Sequence, residues 1–248
     1  RLSLMDDAFM AKCFEDNITC TELVISIILD RKDIRVKCVH TQHQLKNLQG
    51  RSAILDIFAE DEDGKVYDIE IQKAKEGATP KRARYYSSLM DANITEPGDD
   101  FEKLRESYVI FITETDVLKN GKAIYHIERY IEEVSERFND GAHIIYVNGE
   151  NRDGSPLGLL MQDLRCSDPD RMNYKELSER TRYFKEDKEG MKRMGSVIDE
   201  LIQEGKMEGL KEGKLEAAQS TACKLLKSGK FSVKEIAEYV SLPVEEIE

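Results

Sequence analysis

The chain has 248 residues, 40% of them hydrophobic and 35% charged, which is enough to bury a sizeable core and excludes a mainly disordered protein. The net charge of −12 argues against nonspecific coating of nucleic acid, since that needs clustered Lys and Arg, but it permits a local basic groove. Five scattered cysteines without a CxxC motif indicate reduced thiols, and thus a cytoplasmic protein. No membrane span is predicted, because the longest early apolar run, Leu23 to Leu29, is far too short.

The first 150 residues have the pattern of an α/β domain. Apolar residues at three- and four-residue steps predict two helices within residues 6–29, on either side of Asp16-Asn17. Another helix is predicted to begin at Pro80, in the first-turn position that proline tolerates. Strands are predicted at 34–45, 51–60, 65–73, 107–113, 123–127 and 143–147.

The rest of the chain is predicted to be helical, over residues 157–164, 174–185 and 191–226. We therefore expect a core at 1–150, a helical extension at 151–190, and a long helix with a small helical tail at 191–248. The tail has a capping box, Ser232 to Glu235, and its acidic end, VEEIE, favours packing or oligomerisation over phosphate binding.

Glycines recur every four residues in the long helix, at Gly205, Gly209 and Gly213. They fit a solvated charged helix that tolerates glycine at a cost of roughly 1 kcal/mol each. They also fit close approach of a second helix, which would make a homodimer through the C-terminal helices.

The stretch LDIFAEDEDGKVYDIEIQKAK, residues 55–75, reads as a hairpin that carries carboxylates inside apolar strands. A two-residue turn at Asp63-Gly64 would pair Asp56 with Ile71 and mix polar with apolar faces. A three-residue loop at 62–64, with Gly64 in the left-handed conformation, pairs Asp56 with Glu70 and leaves a continuous apolar face opposite. We predict the second register.

In that register the Cβ atoms of Asp56 and Glu70 lie about 5 Å apart, and like charges held so close repel each other. A hard cation such as Mg²⁺ resolves the conflict, because it binds carboxylates, waters and phosphates. Asp68 shares the face and could replace either ligand. The competing interpretation is an ordinary hairpin with acids on its solvent face.

The most basic segment of this acidic chain follows the hairpin, interleaved with Tyr85 and Tyr86. Positive charge beside an anionic metal site is what a phosphodiester substrate requires. The predicted DNA-binding residues are Lys73, Lys81, Arg82 and Arg84.

A second metal reading, zinc at Cys38, His40 and His43, is disfavoured. Strand alternation predicts His43 on the face opposite Cys38 and His40, and no fourth ligand is near in sequence.

Taken together, an acidic helix, Asp56 in a strand, a hairpin, and Glu70-Ile71-Gln72 resemble the PD-(D/E)XK nuclease core, in the variant with glutamine for the final lysine. The segments DDAFMAKCF, GRSAILDIFAEDEDGKVYDIEIQ, KRARYYSSLMD and GDDFEKLRESYVIFIT resemble the recombination-promoting nuclease group, the PD-(D/E)XK family transposases. The resemblance implies a restriction-endonuclease-like α/β core, a central mixed sheet flanked by helices, with a helical C-terminal extension.

By this resemblance, Asp56, Glu70 and the backbone carbonyl of Ile71 would bind Mg²⁺ or Mn²⁺, and Gln72 would take the position of the catalytic lysine. Asp6 matches an accessory acid. The implied function is a metal-dependent DNA endonuclease linked to recombination or mobile elements. Glutamine cannot supply the charge of lysine, so the alternative is a weak or inactive nuclease fold that binds DNA or a protein partner.

Overall fold

The computed structural model describes residues 2–48, 50–73, 75–228, 232–240 and 243, and the chain divides into two units, residues 1–194 and 195–248. The first unit is built on a six-stranded mixed sheet. Its strands are β1 (Val36–Leu45), β2 (Ala53–Asp61), β3 (Val66–Gln72), β4 (Ser107–Thr113), β5 (Ile124–Ile127) and β8 (Ala142–Asn148). A separate two-stranded ribbon consists of β6 (Tyr130–Ile131) and β7 (Glu136–Arg137).

The strands of the large sheet follow the order β1-β2-β3-β4-β8-β5. The first three are antiparallel neighbours, β3, β4 and β8 run parallel, and β5 is antiparallel to β8. The parallel step from β3 to β4 needs a crossover, which helix α3 (Pro80–Ile94) supplies. Strand β4, SYVIFIT, is buried at every residue, as its continuous apolar run predicted.

Helices cover the sheet, and the predicted mixed sheet flanked by helices is confirmed. Helix α3 contacts β4 and β8, while α1 (Asp7–Phe14) contacts β1 and β2 and α2 (Ile18–Leu29) contacts β1. Asn17 caps α2, its side chain accepting a hydrogen bond from the Cys20 N–H, so the predicted break between two helices is confirmed. Beneath α3, its residues Tyr86 and Met90 pack on Phe111 and Tyr146 of the sheet.

Helices α4 (Pro156–Arg165) and α5 (Lys175–Glu186) lie in the first unit and contact α2. Their connection is fixed by the buried carboxylate of Asp163, which accepts hydrogen bonds from the N–H groups of Asn173 and Tyr174. The Arg180 guanidinium donates to the carbonyls of Lys12, Cys13 and Glu15, the unsatisfied acceptors at the end of α1.

Helix α6 (Lys188–Ser228) extends into the second unit, where its end and α7 (Val233–Val240) form a small apolar core around Ala222 and Ile236. The predicted capping box is confirmed: Ser232 donates to the Glu235 carboxylate, and the Glu235 N–H donates back to the Ser232 hydroxyl. The surroundings of Gly205 and Gly209, and the acidic end of the tail, lie outside the described residues. Among the described helices, none is long and apolar enough to cross a membrane.

One sequence expectation about β1 is wrong. The His40 and His43 rings stack at 5.8 Å, and His43 also stacks on Phe58 at 4.7 Å, so the two histidines share a face. The cause lies between them, because Gln42 adopts a φ of 52° and interrupts the strand alternation.

Candidate active site

The hairpin of β2 and β3 has the predicted register. The Asp61 N–H donates to the Lys65 carbonyl at 3.0 Å, which leaves a three-residue loop whose Gly64 has a φ of 80°. The ladder runs from Glu60↔Val66 to Ile57↔Ile69 and ends there, and continuing it by one residue would bring Asp56 opposite Glu70.

At that step, side chains replace the backbone ladder. The Asp56 N–H donates to Glu70 Oε1 at 2.9 Å, and the Ile71 N–H donates to Asp56 Oδ2 at 3.1 Å. Each carboxylate is therefore fixed by a backbone group of the opposite strand. The two acids converge at the point where β2 and β3 separate.

The carboxylate face is not a solvent face. Glu70 and Asp68 are fully buried on the side of the sheet that α3 covers, and Asp56 is half-buried. Glu70 aligns with Phe111 of β4, which packs under Tyr86 of α3. An ordinary exposed hairpin face does not describe these residues.

Burial and mutual repulsion make these acids hard to ionise. Burial raises the pKa of Asp56 to about 6, and the charge of Asp7 adds to the rise. Burial and the charge of Asp56 raise the pKa of Glu70 to about 7, against the hydrogen bond from the Asp56 N–H and the charge of Arg82. A cation between them would remove this cost.

Asp68 has the least favourable surroundings for a charged carboxylate among the three acids. Both of its oxygens are buried without a hydrogen-bond donor from the described residues. Burial and the charges of Glu70 and Asp56 raise its pKa well above the usual range. As a neutral acid, Asp68 can donate its proton to Glu70, and this contact lowers the pKa of Glu70.

Gln72 serves both metal-ligand candidates at once. Its Nε2 lies 3.4 Å from Asp56 Oδ2 and 3.3 Å from Glu70 Oε2. Its Oε1 points to Gly77, where an added Cβ would lie only 2.0 Å from that oxygen. The bare backbone of Gly77 thus gives the amide room to direct its donor at the acids.

Arg82, in the first turn of α3, supplies the positive charge beside the acids. Its guanidinium donates to Glu70 Oε2 at 3.1 Å and lies 4.9 Å from the centre of the Tyr86 ring. It also lowers the pKa of Asp56 and Asp68. The sequence predicted Arg82 as a DNA-binding residue, whereas in the structure its guanidinium contacts the carboxylate of Glu70.

The accessory acid and Lys73 bond to each other. The Lys73 ammonium forms an ion pair with Asp6 Oδ1, and Ser3 donates to Asp6 Oδ2. The pKa of Asp6 is lowered, because the contacts with Lys73 and Ser3 outweigh its partial burial. The acid whose charge acts on Asp56 is Asp7, one residue along, which the sequence analysis missed.

The Ile71 carbonyl points towards β2. The N–H and C=O of one strand residue face the same neighbour, and the Ile71 N–H donates to Asp56. The neighbouring Gln72 carbonyl points towards β4 instead, and it accepts a hydrogen bond from the N–H of Glu114, the residue that follows β4. Ile71 therefore presents a backbone oxygen on the side of Asp56.

A basic groove opens beside the acids. It measures about 860 Å³ and lies between the connection that precedes β2 and the first two turns of α3. Two of the predicted DNA-binding residues, Lys81 and Arg82, line the groove. Arg51 also lines it, although the sequence did not predict this residue as part of a site. Arg84 is exposed on the same helix.

A family model described as PD-(D/E)XK nuclease family transposase matches residues 16–154, more than half of the chain. The chain belongs to this family. The match includes Asp56, Glu70 and Gln72 and excludes Asp6. No curated protein and no solved structure matches the chain.

Membership in the PD-(D/E)XK nuclease family transposases gives the acids a functional context, a nuclease or transposase-related activity on DNA. Within the described residues, no group of three or more His, Cys, Asp or Glu side chains is arranged to hold a metal ion.

Proposed function

We propose that this protein is a metal-dependent DNA endonuclease in which Asp56, Glu70 and the Ile71 carbonyl hold Mg²⁺ or Mn²⁺. The observation that carries the proposal is the convergence of the Asp56 and Glu70 carboxylates at the opening of the hairpin, with the pKa of both raised. Buried acids with perturbed pKa values beside a groove are typical of active sites.

The residues present suit a divalent cation. All the candidate ligands offer oxygen, which Mg²⁺ and Mn²⁺ prefer, and Mg²⁺ commonly uses only one or two protein carboxylates. The donors that a cation would replace, Gln72 Nε2 and the Arg82 guanidinium, belong to side chains that can turn away.

When bound, a divalent cation supplies positive charge that stabilises the phosphate in the transition state and favours deprotonation of the attacking water. Gln72 orients that water or a phosphate oxygen through its amide, without the charge of a lysine. Arg82, once released from Glu70, is within the groove and can bind a phosphate oxygen. Lys81 and Arg84 hold the DNA backbone, and Lys73 does so when it leaves Asp6.

The test is nicking of supercoiled plasmid in Mg²⁺ or Mn²⁺. We expect EDTA, Asp56→Ala and Glu70→Ala each to abolish nicking, and Gln72→Ala to slow it. Asp33→Asn, an exposed acid paired with Arg31, is the matched control and should cut at the wild-type rate. Nicking that survives Asp56→Ala would place the reaction elsewhere.

A second candidate is a nuclease fold that binds DNA or a protein without cutting. The observation in its favour is that Gln72 replaces lysine while Arg82 occupies Glu70. Calorimetry with Mn²⁺ distinguishes the two functions. The endonuclease requires that the wild type binds Mn²⁺ and that Glu70→Ala does not. Absent metal binding together with retained DNA binding would favour the second function.

The biological role we propose is recombination or mobile-element activity in the cytoplasm, in keeping with the family description. Pairing of two chains through the C-terminal helices would bring two sites to one DNA molecule. Light scattering on the full chain measures this directly, and the mass of a single chain would exclude the dimer.

A further inference from the structure

The groove beside the acids has a lining that suits one kind of ligand. Arg51, Lys81 and Arg82 contribute positive charge, and none of the described lining residues is acidic, although the chain carries a net charge of −12. Arg51 and Lys81 are exposed and form no ion pair with a described side chain. Free cations in an acidic protein indicate an anionic ligand, and phosphate is the anion that the site chemistry requires.

Apolar and aromatic surface accompanies these cations. Ile54 lies in the same strand as Asp56, two residues earlier, and 52% of its surface is exposed at the edge of the groove. The rings of Tyr85 and Tyr86 form part of the wall. Leu48, in the same β1–β2 connection as Arg51, is 98% exposed.

Tyr85 is held in position rather than loosely exposed. Its hydroxyl donates to the Arg51 carbonyl and accepts from Asn47 Nδ2 at 3.0 Å. These contacts tie α3 to the connection that precedes β2, so that the ring is oriented before a ligand binds. A pre-oriented aromatic ring loses little entropy when a base stacks on it.

The size of the groove suits a single nucleotide. A volume of about 860 Å³ is that of a pocket for a small molecule, and a base within an intact helix presents only its edge. A base can stack on a protein ring only after it leaves the helix, and exposed aliphatic side chains can separate base steps. Ile54, exposed at the edge of the groove, is placed to do this.

We propose that the groove takes an unpaired nucleotide of the cleaved strand, with its base on Tyr85 and Ile54 and its phosphate on Arg51 and Lys81. This inference rests on the proposed nuclease function and names its substrate class: DNA with a gap, flap or bulge beside the cut. The contact between Arg82 and Glu70 links the groove to the acids.

The test measures binding without cleavage, by fluorescence anisotropy in EDTA. Three labelled DNAs of one sequence are compared: an intact duplex, the duplex with a three-nucleotide bulge, and the single strand. We expect the bulged and single-stranded forms to bind about tenfold more tightly than the duplex, from stacking of one base. Equal affinities for all three would overturn the proposal and assign the groove to duplex backbone alone.

Two variant pairs assign the preference to the groove. Tyr85→Phe and Tyr85→Leu lose the same hydroxyl contacts, but only the phenylalanine keeps the ring, so the preference should persist in the first and fall several-fold in the second. Arg51→Gln should weaken binding of every DNA, whereas Lys175→Gln, on an exposed α5 residue, should not. Equal behaviour of the two Tyr85 variants would overturn base stacking.

Failure of this inference and failure of the proposed function are distinguishable. Plasmid nicking that depends on Asp56, combined with equal binding of the three DNAs, would reject only the nucleotide pocket. A clear preference for unpaired DNA in a protein that does not cut would retain the pocket and reject the endonuclease.

Discussion

Replacing Glu70 with glutamine should stabilise the metal-free protein while it abolishes cleavage. The pKa of Glu70 rises from 4.5 to about 7 in the folded state, through burial and the charge of Asp56. Between these values the folded state keeps a proton that the unfolded chain releases. The free energy of unfolding of the wild type therefore falls as the pH rises from 4.5 to 7, and the whole penalty is present above pH 7.

The size of the effect follows from the shift. One pKa unit corresponds to about 1.36 kcal/mol, so the shift from 4.5 to about 7 predicts a gain of roughly 3 kcal/mol for Glu70→Gln at pH 8. At pH 5 wild-type Glu70 is already protonated in the folded state, and the gain should be below about 1 kcal/mol. The amide can still accept the Asp56 N–H that now bonds to Glu70 Oε1.

Urea unfolding in EDTA at pH 5 and pH 8, followed by circular dichroism, measures both values. Glu60→Gln is the matched control, because the ion pairs of Glu60 with Lys37 and Arg105 lower its pKa, and its loss should destabilise the protein at pH 8. If Glu70→Gln does not raise the free energy of unfolding at pH 8, or raises it equally at both pH values, then the charge of Glu70 does not destabilise the folded state.

Three further predictions concern the same unit. Millimolar Mg²⁺ should raise the melting temperature of the wild type at pH 8 but not of Glu70→Gln, and an equal rise in both would contradict the metal site. Gly77→Ala should displace the Gln72 amide and slow plasmid nicking while Mn²⁺ binding in calorimetry is retained, whereas Gly154→Ala, which has open space around it, should leave both unchanged. Arg180→Met should lower the free energy of unfolding by about 2 to 4 kcal/mol in urea titrations, because the Lys12 and Glu15 carbonyls lose this donor and the Cys13 carbonyl keeps only Asn17 Nδ2, and a loss below about 0.5 kcal/mol would refute that role.

The sequence was sufficient for the parts of the site that depend on local rules. The hairpin register follows from turn geometry and strand alternation, both of which are read within 20 residues, so Asp56 could be paired with Glu70 in advance. Asn17 and Pro80 mark helix starts for equally local reasons. The β6–β7 ribbon was missed because strands of two residues show no alternation.

Contacts between segments that are distant in the chain could not be predicted from the sequence. The burial of Glu70 depends on where α3 crosses the sheet, and nothing in the hairpin sequence contains that information. Asp6 and Asp7 are neighbours in sequence, and only the position of α1 decides that Asp7 acts on Asp56 while Asp6 bonds Lys73. The left-handed φ of Gln42, which register places across from Asp56, also had no sequence signal, since glutamine rarely adopts it.

The glutamine in place of lysine gains a physical explanation from these contacts. The backbone N–H groups of Asp56 and Ile71 hold one oxygen of each carboxylate, and strand pairing fixes those donors. Gln72 and Arg82 hold the remaining contacts through flexible side chains. A cation can thus displace the side-chain donors while the carboxylates keep their positions. The positive charge that a lysine would carry on β3 comes instead from Arg82 of α3, on the wall of the groove that we propose to bind DNA.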